Sequence, residues 1–220
     1  MTTPPLTPDE LLTTTRAVRK RLDLDRPVPM ELVRECLETA LQAPSGSNKQ
    51  DWEWIVLTDP QLKAQVGEFY RRAFEKYAAS RSSAAKLYQD DPARAAVQER
   101  VGSSAAYLAE VMGQVPVLLI PCLHVPSGRL AEGNQAGLWG SLLPAVWNYM
   151  LAARARRLGT AWTSLHLVYE KEVADLLGLP PEVRQGALVP TAYYTGDTFR
   201  PAPRRPLDEV LHVNGWQGKA

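Results

Sequence analysis

The order of apolar and polar residues divides the chain into alternating helical and extended stretches. Thr7-Pro8-Asp9-Glu10 carries the marks of a helix start: a threonine cap, a proline in the first turn and two acids at the positive end of the dipole. That helix is predicted to run to about Leu22. Pro29-Met30-Glu31 opens a second, to about Gln42, with Leu32, Val33, Cys36, Leu37 and Ala40 on one apolar stripe. A run of turn residues follows, then a β-rich stretch over 52–58, and Asp59-Pro60 starts a third helix to about Tyr77. Residues 78–113 are rich in alanine, serine and charge and are broken by Asp91-Pro92 and Gly102. They predict weakly packed helices, a lid-like excursion from the core.

Val115 to Leu123 is a short apolar run that reads as a core strand. Asn134 to Arg157 predicts a long helix, uncharged from Gly133 to Ala153, a length that raises the question of a membrane span. Asn134, Gln135, Ser141, Asn148, two glycines and Pro144 argue against one. A helix apolar on most sides is buried in a large core or between subunits. Pro144 is expected in the first turn after a Ser141 cap, or at a kink. Leu158-Gly159-Thr160 reads as a glycine stop, followed by a strand over 161–164. A short helix from Glu170 to Leu177 ends at Gly178, and Leu188 to Thr195 predicts the last core strand. Residues 199–220 are proline-rich and read as a C-terminal arm on a single domain spanning 1–220.

Composition narrows the chemistry mainly by exclusion. A net charge of +1 with 22% charged residues gives no field suited to nucleic acid or to a membrane surface. The first ten residues lack the basic and apolar regions of a secretory signal. The two cysteines, Cys36 and Cys122, lie in apolar surroundings without metal-ligand spacing, which fits reduced thiols and a cytoplasmic location. The three histidines are scattered, and no metal site is expected. No dinucleotide fingerprint, phosphate-binding P-loop, zinc helix or nucleophile elbow is present, so an enzyme here would rely on a cofactor for its hard chemistry.

Three segments carry candidate function. Ala43-Pro44-Ser45-Gly46-Ser47-Asn48-Lys49-Gln50-Asp51-Trp52 joins a helix to a strand through turn residues that leave backbone N–H groups free for a ligand. Arg16-Ala17-Val18-Arg19-Lys20-Arg21 is basic; its cations either complement a helix C-terminus or converge on one anion, since Arg16 and Arg19 lie three apart. Pro203-Arg204-Arg205-Pro206-Leu207 adds two more arginines near the end.

Together and in this order, these segments resemble the FMN-dependent nitroreductase family over about residues 10 to 215. The resemblance implies an α+β nitroreductase-like fold: a mostly antiparallel sheet of four to five strands flanked by helices, in an intertwined homodimer with two FMN sites built from both chains. It implies that Arg16, Ala17 and Arg19, with Arg204 or Arg205, hold the phosphate, arginine's planar fork suiting that dianion. Pro44, Ser45, Gly46, Asn48 and Gln50 would meet the ribityl chain and ring, with backbone around Ser164, Leu165 and His166 near the N5 edge. No catalytic side chain is assigned. The implied activity is ping-pong reduction of a small planar acceptor, such as a nitroaromatic or quinone, at the expense of NAD(P)H. Dehydrogenation, dehalogenation, flavin fragmentation and flavin sequestration remain open within the same resemblance. The chain departs from the family pattern at Ala17, often serine, at Arg21-Leu22, near which an aromatic is often found, and at Asp51, usually proline; the last change is expected to free the loop and add a negative charge.

Overall fold

A computed structural model describes residues 6–216; the first five residues and the last four, the end of the expected arm among them, lie outside the described residues. Helices α1 (Pro8–Thr14), α2 (Met30–Ala40), α3 (Pro60–Ala79), α4 (Pro92–Val111), α5 (Ala136–Ala155) and α6 (Glu170–Leu177) surround strands β1 (Trp52–Leu57), β2 (Val117–His124), β3 (Leu158–Thr160), β4 (Val183–Gln185) and β5 (Val189–Tyr193). The strands form one antiparallel sheet in the order β1-β2-β5-β3, with β4 also paired to β2.

Strand β2 is buried on both faces, which is why it reads as one apolar run rather than an alternation. Val117, Leu119 and Leu123 face α2 and α5, while Leu118, Ile120 and Cys122 face α3, the end of α4 and α6. The sheet is therefore the middle of three layers. Burial pushes the Cys122 thiol up to about 12 and Cys36 up to about 11, so both are free but unreactive.

Several boundaries follow the chemistry of their ends. Thr7 and Glu10 form a reciprocal capping box on α1, Asp59 accepts from Gln61 and Leu62 N–H at 2.9 Å on α3, and Asp91 caps α4 in the same way. Other expectations are corrected. Helix α1 ends at Thr14, not Leu22, because Thr13, Thr14 and Thr15 turn their hydroxyls back onto carbonyls four residues earlier, each at 2.6 Å. The chain then runs extended, and Val18 N–H bonds to Thr160 C=O at 2.7 Å.

Gly159 is not a helix stop but lies inside β3. A Cβ there would come 2.9 Å from Val18 Cγ1 and 3.2 Å from Leu22 Cδ2, so the bare backbone is what lets the basic segment lie over the strand. Residues 161–164 form no strand, only an isolated bridge from Thr163 to Leu188. Ser141 does not cap α5, which begins at Ala136 with the Asn134 side chain accepting from Ala136 N–H at 2.8 Å; Pro144 sits within that helix. Gly102 does not interrupt α4, and the short strand β4 was not anticipated. Among the described residues no helix is long and apolar enough to cross a membrane.

The tightest helix contact is backbone on backbone. A Cβ at Gly67 of α3 would lie 2.6 Å from Gly113 N and 2.8 Å from its Cα, in the turn after α4. Gly67→Ala is therefore expected to force the two elements apart and cost about 2–3 kcal/mol despite alanine's better helix propensity. Thermal melts should show a Tm lower by roughly 4–12 °C for a chain of this size. An unchanged or higher Tm would contradict this packing.

Candidate functional site

The basic segment 16–21 is a strap across the edge of β3. Ala17 bridges Thr160 and Leu22 bridges Tyr194, while Val18 and Leu22 are buried beneath. A turn follows, closed by Leu22 N–H donating to Arg19 C=O at 3.1 Å, and leaves Arg16 and Lys20 exposed and Arg19 half-buried. Arg16 Nη1 donates to Arg200 C=O at 3.2 Å, Arg19 Nη1 to Ser104 Oγ at 3.4 Å and Lys20 Nζ to Ser103 Oγ at 2.8 Å. None of the three pairs with a carboxylate among the described residues, whereas Arg71, Arg156, Arg184 and Arg205 all do.

Burial pulls the Arg19 pKa down, and the neighbouring Arg16 charge adds to this, while Tyr70 and Tyr77 oppose it. The helix-dipole explanation for these cations falls away because α1 stops at Thr14. Arg21 is held apart: it donates to Thr195 and Thr198 C=O at 2.6 and 2.9 Å and stacks on Phe199.

The segment following β3 lies at the same corner. Thr163 exchanges backbone bonds with Leu188 at 3.1 and 2.8 Å, and its hydroxyl donates to Tyr70 Oη at 3.0 Å. Tyr70 in turn interacts electrostatically with Arg19. Ser164 is exposed and Leu165 half-buried. His166 is turned wholly inward: its ring is 0% exposed and neither nitrogen has a hydrogen-bond partner. Its ring therefore offers no proton donor to the surface that carries Arg16 and Lys20.

The loop before β1 forms a second surface. Ser47, Asn48 and Gln50 have φ of 54°, 53° and 56°, a cluster of left-handed residues that only asparagine tolerates readily. The conformation is held by Gln50 N–H donating to Ser45 Oγ at 3.1 Å and Gln50 Nε2 to Asn48 Oδ1 at 3.0 Å. Gly46 N–H donates to Ser141 Oγ at 2.9 Å, and the Trp52 indole donates to Ser141 C=O at 2.6 Å. Ser45, Gly46, Lys49, Gln50, Gly137 and Ser141 line part of a cleft of about 300 Å³; Pro44 is exposed beside it. Asp51 does not free this loop. A proline there would push the preceding residue to extended conformations, and Gln50 is left-handed, so Asp51 is what permits the observed turn.

Arg204 and Arg205 are not brought to the arginine strap. Arg205 is held by Glu209 at 2.9 Å across the turn 207–209, and Arg204 donates to Pro203 C=O at 3.1 Å. Both line a separate cleft of about 610 Å³ with Tyr88 and Arg94.

The loop and the strap stand at diagonal corners of the sheet. Trp52 pairs with Leu123 near one end of β2, whereas Thr160 connects through Thr191 to Val117 at the other end, with three strand spacings between β1 and β3. At about 3.3 Å per residue and 4.8 Å per strand the separation is roughly 25 Å.

A model of the nitroreductase family matches residues 12–193. The chain belongs to the nitroreductase family. An iodotyrosine deiodinase of Thermotoga neapolitana is 26% identical over 197 residues, covering 89% of this chain and 91% of that protein. Among solved structures, an oxidised iodotyrosine deiodinase bound to FMN and 3-iodo-L-tyrosine is similar with a TM-score of 0.67 and 22% identity, covering 94% of this chain and 98% of that one. A variant of the FMN- and NADPH-dependent nitroreductase NfnB from sphigopyxis sp. strain HMH is similar with a TM-score of 0.66 and 20% identity, covering 96% and 100%. The nitroreductase-like α+β fold expected from the sequence is thus the fold observed.

Within this nitroreductase-family chain, sequence reasoning missed Tyr70, Ser103, Ser104 and Thr163, gave Lys20 no role of its own and misread Ser141 as a cap. Lys20 carried a signal as part of the basic segment and Ser141 as a small polar residue in an uncharged helix; the others are joined by tertiary contacts with no local pattern.

Burial holds the His166 pKa down at about 4, against the pull of the Glu170 carboxylate and the Gln185 side chain. The unfolded histidine takes its proton near 6.5 and the folded one only near 4, so the unfolded state binds more protons between those values. Stability should then fall as pH drops through that window, by up to about 1.4 kcal/mol per pH unit. Denaturant unfolding from neutral pH to about 4 should show that slope, and His166→Leu should remove one proton's share of it. Parallel curves for the two proteins would refute a neutral, buried His166.

Proposed function

We propose that this chain is an FMN-dependent oxidoreductase that uses NAD(P)H to reduce small planar acceptors such as nitroaromatics or quinones, and that it works as a homodimer. The observation that carries this reading is the carboxylate-free cluster of exposed Arg16 and half-buried Arg19 beside the 163–166 segment, in a chain of the nitroreductase family. Two arginines without a carboxylate, Arg19 of them partly desolvated, fit a phosphate dianion, since burying a cation without a partner is costly. Arg16 and Arg19 would hold the phosphate, with the Ala17 backbone alongside, and Ser164 and Leu165 would border the ring. FMN, when bound, supplies the two-electron chemistry that no side chain here offers.

The diagonal separation supports a dimer. A loop roughly 25 Å from the strap meets the same ligand only if a second copy supplies it. Pro44, Ser45, Gly46, Asn48 and Gln50 would then line the site of the opposite subunit. The exposed face of α5, with Trp147 at 37% exposure and Leu143 and Leu151 half-buried, gives such an interface an uncharged surface. In the arm, Leu207 and Trp216 are 67% and 82% exposed, as expected of side chains that a partner covers. Free, buried thiols favour a reducing cytoplasm.

Reductive dehalogenation is a second reading, favoured by the deiodinase likeness over nearly the whole chain. The two readings share the flavin grip and differ in acceptor.

The purified protein is expected to be yellow and to release FMN rather than FAD on denaturation. Arg16→Ala and Arg19→Ala should each weaken FMN binding about 10- to 100-fold, the loss of a charge-assisted hydrogen bond, with small changes in the melt of the flavin-free protein. Colourless protein that takes up no added FMN would defeat the reading. NAD(P)H oxidation assayed with a nitroaromatic, a quinone and 3-iodotyrosine decides the acceptor: turnover with iodotyrosine alone would move the assignment to dehalogenation.

Light scattering at micromolar concentration is expected to give the mass of two chains. A stable folded monomer would remove the shared site, since obligate dimers bury on the order of 2,000 Å² or more and stay together on dilution.

A further inference from the structure

We propose that Lys20, Ser103 and Ser104 complete the seat for the terminal phosphate of FMN, so that α4 closes the phosphate end of the site in place of the same chain's Arg204 and Arg205. The proposal rests on the FMN reading above and assigns to the stretch 78–113 a direct part in holding the cofactor.

Helix α4 is weakly anchored along most of its length, with only Leu108 and Ala109 buried. Its height is set at Gly102, where a Cβ would meet Ala85 Cβ at 2.9 Å, so the turn at 84–86 presses against the helix there. The next two residues are the ones that reach the strap. Ser103 Oγ accepts from Lys20 Nζ at 2.8 Å and Ser104 Oγ from Arg19 Nη1 at 3.4 Å.

These serines serve Lys20 and Arg19, which like the neighbouring Arg16 have no carboxylate among the described residues. A neutral hydroxyl satisfies the geometry of a cation but not its charge. A phosphate monoester dianion satisfies both, and its three acceptor oxygens can take guanidinium, ammonium and hydroxyl donors together. Ser103 gives its lone pair to Lys20 and its own proton has no acceptor among the described residues, which leaves it a donor for a phosphate oxygen. The Ser104 hydroxyl donates to Val101 C=O at 2.9 Å and would turn about χ1 to join it. Arg205, by contrast, is already neutralised by Glu209.

A phosphate monoester could also be the 2′-phosphate of NADPH, so the test separates the two. Binding of FMN and of riboflavin is measured by quenching of flavin fluorescence on the full chain for wild type, Lys20→Ala, Ser103→Ala, the Ser103→Ala/Ser104→Ala double variant and Ser103→Asp. The expected result is a loss of FMN affinity of about tenfold in the double variant, a comparable loss in Lys20→Ala, and a larger one in Ser103→Asp, where a carboxylate claims Lys20 and repels the phosphate. Riboflavin affinity should not move. All positions concerned are exposed or half-buried, and melts should confirm that every variant folds. An FMN-to-riboflavin ratio equal to wild type in all variants overturns the assignment. So does a loss confined to the preference for NADPH over NADH, which would place the reduced nicotinamide's phosphate there. Wild-type protein that binds neither flavin overturns the FMN reading and this assignment with it.

Discussion

The strap depends on one close contact: Val18 lying over Gly159, with its N–H bonded to Thr160 C=O. Without a side chain at 159 the basic segment can approach the edge of β3 closely enough to pair with it. The bridges at Ala17 and Leu22 fix the two ends of the segment, Val18 and Leu22 enter the core, and the turn between them leaves Arg16 and Lys20 exposed. The interaction is apolar at its base and electrostatic only at its surface. This is the economical arrangement, because a protein keeps unpaired cations together only where something else holds the backbone that carries them.

The two candidate surfaces are built by opposite means. At the strap, regular pairing presents long flexible cations. At the loop, irregular backbone presents short polar groups, and three left-handed residues in close succession are held by Ser45, Asn48 and Ser141. Strain of this kind persists only when the surroundings over-determine it, and it concentrates where a ligand is met. Trp52 and Ser141 supply that surrounding here, tying the loop to α5 rather than leaving it to the solvent.

How much could be read beforehand follows the range of the interactions. Helix α2, the starts of α1 and α3, the αL glycine closing α6 and the strands β1, β2 and β5 were legible because each rests on residues a few positions apart. The loop before β1 and the arginine pair stood out as motifs. What was missed depends on distant partners. The threonine run ended α1 early because Val18 had a strand to join, and Gly159 looked like a stop because nothing local shows that Val18 packs on it. Ser141 resembled a cap until Gly46 and Trp52 were seen to bind it. Helix α4 has almost no amphipathic signal, so its serines could not be singled out before the fold set them against Lys20 and Arg19. Nothing in the sequence marked the His166 ring as buried, since burial is a property of the finished core.

The diagonal placement of loop and strap has a genetic consequence. In the proposed dimer every site takes its arginines from one subunit and its loop from the other. Two alleles, one defective at Arg19 and one at Asn48, would each be null as homodimers. Their mixed dimer would carry both defects in one site and none in the other, so co-expression would restore about half-occupied, fully competent particles. Such complementation between alleles is open only to a protein whose site is divided across its symmetry axis; a chain that closed its site within one fold would show none.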